Sequence, residues 1–275
     1  MSFLKSQKVL VLIALLVLVV LSSFKFMEEG EIVGLHHPES VYPYGNYIYV
    51  SNIGNSPVSP NKDGFITKLD KYGNILEFKF IDNLQAPKGI YPFDNKLYIA
   101  DLNRLCIADL TSTKTKCIDI KGSKFLNDIV VLNGVSYITD TVNNCIYKVD
   151  KKGKVSLFFK KDNFSPNGII FIKKQNVFAV VSFNSPTISL ISLAGELKKS
   201  ITFKGLTGFD GISLLGDKLF ISDYRSGKII QTDLTLKKYK IVKELNTPAA
   251  DIFVSKDKIY LPLIEKNKLI IGRLQ

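Results

Sequence analysis

The sequence predicts an all-β protein, a six-bladed β-propeller over residues 28–275, whose last blade is completed by an N-terminal strand and which follows an N-terminal hydrophobic helix. Three observations predict it. A three-residue motif recurs six times, as Glu39-Ser40-Val41, Lys88-Gly89-Ile90, Asn127-Asp128-Ile129, Asn167-Gly168-Ile169, Asp210-Gly211-Ile212 and Ala250-Asp251-Ile252, at spacings of 39 to 49 residues. Each copy opens an apolar strand, then a turn rich in Gly, Asn or Asp, then a second strand of β-branched and aromatic residues such as Leu97-Tyr98-Ile99-Ala100. Two more strands fit in most periods, and four strands per period of about 40 residues is the propeller pattern. Finally, only three strands fit after Asp251, ending at residues 268–273, while residues 31–35 form a spare strand before the first motif. Pairing the spare strand with those three completes the ring and removes its open edges.

The N-terminus precedes this ring. Lys5 and Lys8 precede an apolar run, residues 9–21, which ends at the polar Ser22-Ser23. That is the charged region and apolar stretch of an export signal, while a membrane-spanning helix needs about 20 apolar residues. Residues 1–27 are therefore expected to be a cleaved signal peptide or a retained signal-anchor helix. Either places the propeller on the periplasmic or extracellular side, free or anchored in the cytoplasmic membrane.

Lys and Arg outnumber Asp and Glu by 37 to 25, for a net charge of +12. The lysines are scattered over turns such as Lys151-Lys152 and Lys237-Lys238, with no recognition helix, finger or aromatic platform, which speaks against nucleic-acid binding. The charge serves solubility and attraction to anionic membrane surfaces. A monomer is expected. Of three cysteines, Cys106 and Cys117 flank a turn that sets them opposite one another on two strands, open to a bridge or to two buried thiols; Cys145 is left to packing.

The first motif position lies on the innermost strand of each blade, so its six copies ring one channel: Glu39, Lys88, Asn127, Asn167, Asp210 and Ala250. Four of them offer side-chain oxygen. Hard cations such as Ca²⁺ take such ligands, whereas softer ions favour Cys or His. The loops at the same end of the blades bring Asn52, Asp101, Asp140 and Asp223 to the entrance, to orient Lys88, a ligand or a water, or to cap the loops locally. Asp128 and Asp251 stand one residue behind the ring.

The phrases around these residues, His37-Pro38-Glu39-Ser40-Val41, Leu126-Asn127-Asp128-Ile129, Ser165-Pro166-Asn167-Gly168-Ile169 and Phe209-Asp210-Gly211-Ile212, resemble the gluconolactonase and regucalcin group of propellers. They are more distantly similar to paraoxonase, diisopropyl fluorophosphatase and strictosidine synthase. The resemblance implies a divalent ion, Ca²⁺ in the first instance, held by Glu39, Asn127, Asn167 and Asp210. It also implies a lactone or ester substrate.

Lys88, in Pro87-Lys88-Gly89, departs from that pattern: its ammonium either pairs with Glu39 and Asp210 in place of an ion, or leaves the ring for solvent or substrate. Near a metal its pKa falls, which suits a base or nucleophile. The two histidines, His36 and His37, stand just before Glu39 and carry no assigned role. No G-x-S-x-G, H-E-x-x-H or phosphate-cradling glycine loop is present, so hydrolysis would be metal-assisted, with Asp210 or a neighbouring carboxylate activating water and Lys88 as a further candidate base or nucleophile. The competing expectation is a non-catalytic, membrane-tethered propeller that binds a protein, glycan or envelope component.

Overall fold

The structure is a computed structural model and describes residues 26–274. The expected N-terminal helix lies outside the described residues. Among those residues no helix is long and apolar enough to cross a membrane. The chain forms six four-stranded antiparallel sheets arranged as the blades of a propeller, and the only helical element described is a short 3-10 turn, Ile264–Lys266.

Five blades are consecutive runs of four strands. The sixth joins Phe253–Ser255, Lys258–Leu263 and Lys268–Leu274 to an outer strand from the other end of the chain, Phe26–Val33. That strand begins five residues before the expected residue 31. Its bulge between Glu28 and Gly30 keeps it in register along the whole partner, from Phe26 opposite Leu274 to Val33 opposite Lys268. Phe26, which hydropathy alone assigns to the N-terminal segment, is buried in the core between the fifth and sixth blades.

Each residue of the repeated motif has its own structural task. The third, Val41, Ile90, Ile129, Ile169, Ile212 or Ile252, is buried in a different hydrophobic cluster, and each cluster fills one junction between neighbouring blades. Burying an aliphatic side chain of this size stabilises by about 1.5–3 kcal/mol, so the motif glues the ring once per blade. The first two residues lie in a register shift of the innermost strand, as between Pro38 and Val41 or Pro87 and Ile90. The same shift recurs at Leu126/Ile129, Pro166/Ile169 and Phe209/Ile212. A bulge bends the strand and re-aims its side chains, which turns the first residue toward the axis.

The second motif residue meets the next blade. In the third blade Asp128 accepts 2.7 Å bonds from the amides of Ile129 and of Ile169 in the fourth. In the sixth, Asp251 accepts from Ile252 at 2.7 Å and from the Ser40 hydroxyl of the first at 2.5 Å. Gly89 and Gly211 are glycines because a Cβ there would overlap the carboxylates of Asp128 and Asp251. The bulge amides of Ser40, Asp128 and Gly211 are in turn satisfied by hydroxyls on the second strand, Ser51, Thr139 and Ser222, at 2.8–2.9 Å. Asp128 and Asp251, expected behind the ring, are thus staples between blades.

Cys106 and Cys117 are opposite one another in register and form a disulfide, and Cys145 is buried and free.

Candidate functional site

The bulges bring Glu39, Lys88, Asn127, Asn167 and Asp210 into the lining of one cavity of about 740 Å³ at the end of the channel where the innermost strands begin. Ala250, the sixth ring position, is fully buried and contributes no side-chain oxygen. The upper wall is mostly apolar, with Ile53, Val58, Phe125, Val142, Phe183 and Ile264.

The four expected oxygen donors are therefore gathered at one place. Two of their atoms, Glu39 Oε2 and Asn127 Oδ1, are buried without a hydrogen-bond partner. Asn127 Nδ2 donates to Thr141 Oγ1 at 3.2 Å, which leaves its oxygen toward the cavity, and Asn167 donates to the Asp210 carboxylate. Leaving a buried acceptor unpaired costs about 1–3 kcal/mol, so both atoms call for a hydrogen-bond donor, such as water, or a cation in the cavity. The set of two carboxylates and two amides is an all-oxygen one of the kind that suits a hard divalent ion. Among the described residues no cluster of three or more His, Cys, Asp or Glu side chains is placed to hold a metal; two of the four donors here are amides. The residues present fit such an ion.

Electrostatics agree with an unmet need for positive charge. Burial, then Asp210 and Asp251, hold the Glu39 carboxyl well above its ordinary range, with Lys88 opposing. Burial and Asp251 push Asp210 from 3.8 to about 8, against the Asn167 hydrogen bond, and burial pushes Asp251 to about 6. Between pH 4 and 8 the folded, ion-free protein thus binds more protons than the unfolded chain, so its stability falls as pH rises. Lys88, lowered by burial from 10.5 to about 8, acts the other way but only above that window. In chelator, Tm is expected to drop by at least about 5 °C from pH 5.5 to 8. Asp210→Asn should raise Tm at both pH values and by more at pH 8 than at pH 5.5, because the cost of the raised Asp210 carboxyl accrues from about pH 4 upward. A flat wild-type profile by calorimetry would contradict this.

Lys88 does not pair with the ring. It is 2% exposed, and its Nζ donates to the carbonyl oxygens of Pro57 and Ala86 at 3.2 Å and sits 4.2 Å from the centre of the Phe125 ring. Among the described residues it has no carboxylate within 4.0 Å. Its direction is set by residues 53–63, which connect the second and third strands of the first blade and carry Pro57. His37 holds that segment through Nδ1 and the Gly54 carbonyl, 2.7 Å apart.

Asn52, Asp101, Asp140 and Asp223 are at the strand ends expected of them but are fully buried and are not among the cavity-lining residues. Their side chains fasten the loop that leads into their own blade. Asp101 accepts from the amides of Gln85 and Ala86, and Asp140 from those of Lys124 and Phe125. Asp223 accepts from Thr207 and Gly208, and Asn52 from His36. Each aspartate is also bonded by the side chain three residues on: Arg104, Asn143 or Ser226. The cavity is lined instead by the next residue along the chain, Ile53, Thr141 or Tyr224. Successive strand side chains face opposite ways, and that single step separates the loop staple from the cavity wall.

Fold and site together define a six-bladed propeller with an axial cavity floored by oxygen donors. Among solved structures the chain is similar to a catalytically inactive virginiamycin B lyase of Staphylococcus aureus with quinupristin, at TM-score 0.66 and 16% identity over 92% of this chain and 100% of that one. A streptogramin B lyase gives TM-score 0.67 and 15% identity over 92% and 98%. A chain of a nidogen–laminin complex gives TM-score 0.67 and 14% identity over 76% and 86%. At these identities the likeness is one of fold. No protein-family model matches the chain, and no curated protein matches it.

Proposed function

We propose that the protein is an exported hydrolase of the lactonase or esterase type, dependent on a divalent cation, preferably Ca²⁺, at the channel floor. The observation that carries this reading is the pair of acceptors without a partner among the described residues, Glu39 Oε2 and Asn127 Oδ1, at the base of a cavity of about 740 Å³. Glu39, Asn127, Asn167 and Asp210 would hold the ion, and when bound it would supply Lewis-acid polarisation of an ester carbonyl. The chain supplies the rest. Asp210 is the cavity-facing carboxylate that takes a proton from the attacking water and returns it to the leaving alkoxide. The apolar side chains of the upper wall would hold the substrate body. The related fold of enzymes that act at a propeller, the two lyases, is compatible with catalysis here but does not specify the reaction.

A concave cavity of this volume suits a small ligand, whereas a protein or glycan partner would use a broader, flatter surface. Export is supported by the run of apolar residues behind Lys5 and Lys8 and by the Cys106–Cys117 bridge, since disulfides persist in oxidising compartments. Protein stripped with chelator should be inert toward a panel of lactones and aryl esters and gain activity on reloading with Ca²⁺. Absence of turnover with every divalent ion supplied would overturn the hydrolase.

A further inference from the structure

Lys88 is a buried cation with no carboxylate within 4.0 Å among the described residues. Its ammonium has three donors, of which two go to the carbonyls of Pro57 and Ala86, and the Phe125 ring covers one side. Neutral carbonyls and a ring face compensate only part of the cost of burying a charge, which proteins ordinarily meet with a carboxylate. None is within 4.0 Å among the described residues, although Glu39 and Asp101 are near enough to be felt. Lys88 nevertheless lines the cavity, where it is the one Lys or Arg side chain among the described residues, in a lining that also includes Val58, Phe125 and Phe183.

We infer that the ligand supplies the missing counter-ion: the cavity takes a small molecule with an apolar body and a carboxylate, which meets Lys88 at its remaining N–H. One remaining donor on a compact ammonium matches one oxygen of a monoanion. A phosphate dianion, with more oxygens and charge, is matched better by the forked donors of arginine or by several cations than by one N–H. This deepens the hydrolase reading, on which it rests for the identity of the cavity as the substrate site, and narrows the substrate to an ester or lactone of an acid-bearing apolar compound. Lys88 then acts as a specificity-determining residue, separate from the oxygen set that would hold the ion.

The test uses the full chain and two probe pairs, 3-phenylpropanoate with its primary amide and octanoate with its primary amide, titrated by calorimetry with Ca²⁺ present. Amide and carboxylate match in shape and differ in charge. The wild type should bind at least one carboxylate about tenfold or more tightly than its amide. In Lys88→Met, whose side chain replaces the buried stem, that preference should vanish while amide affinity stays the same. Lys88→Arg, a second variant that keeps the charge, should retain the preference, and melting curves verify that both are folded. Equal binding of acid and amide by the wild type, no binding of either pair, or a preference that survives in Lys88→Met would each overturn the inference. Retention of Ca²⁺ without any carboxylate preference sinks the counter-ion role alone. A Lys88-dependent preference in a protein that holds no divalent ion sinks the hydrolase and leaves the counter-ion role standing.

Discussion

Asp210→Asn is expected to leave the propeller folded, lower Ca²⁺ affinity by at least about 100-fold, and remove hydrolytic activity by a similar or larger factor. The substitution keeps the shape of the side chain and its place beside Asn167 but removes one of the two carboxylates of the oxygen set. Because Asp210 is buried and repelled by Asp251, loss of its charge should make the ion-free protein more stable near pH 8 even as it disables the site. Glu39→Gln should act in the same direction, since it removes the other carboxylate. Calcium titration and melting on the same samples check both halves. Unchanged Ca²⁺ affinity in Asp210→Asn would contradict the assignment of this residue.

Gly211→Ala is expected to be among the most destabilising single-methyl changes in the chain. Its Cβ would overlap the Asp251 carboxylate and stand 2.5 Å from the Ile252 amide nitrogen. The neighbour that must yield is backbone plus a carboxylate fixed by both Ile252 and Ser40, at the junction between the fifth, sixth and first blades. Overpacking of a rigid site costs about 3 kcal/mol or occasionally more, a fall in Tm of about 6 °C or beyond for a domain of this size. Gly45→Ala is the control: Gly45 is in an exposed hairpin turn with nothing within 4 Å of its would-be Cβ, and at φ 62° it should cost only the modest strain of that conformation. Denaturant melts of the two variants, side by side, settle the comparison; equal losses would mean that the blade junctions are not close-packed at the motif.

The parts of this molecule that were legible in its sequence are those governed by local periodicity. Ile90 and its five counterparts announce themselves as the buried third residue of a repeat, and Glu39, Asn127, Asn167 and Asp210 follow as the ring because the register of one strand fixes all six copies. The direction of Lys88 was not legible, since it is decided by Pro57, 31 residues earlier in the chain, and by Phe125 from the next blade. Asn52, Asp101, Asp140 and Asp223 were legible in position but not in orientation. A signal was nonetheless present. The recurrence of an aspartate followed three residues later by Arg104, Asn143 or Ser226 is a local hydrogen-bonding pattern, characteristic of residues that fasten loops. Likewise the hydroxyls of Ser51, Thr139 and Ser222, one step before those strand ends, mark the bulge amides they satisfy. The start of the outer strand at Phe26 was hidden because an apolar residue next to an apolar run carries no strand signature of its own.

The central claim is that Glu39, Asn127, Asn167 and Asp210 form a divalent-cation site on the propeller axis. Crystals of the protein grown with Ca²⁺ and measured at a long wavelength test it directly. One anomalous difference peak is expected at the floor of the cavity, within coordination distance of all four side chains, with Lys88 Nζ still on the Pro57 and Ala86 carbonyls. A floor without a peak, with Lys88 instead turned in to bond Glu39 and Asp210, would contradict it.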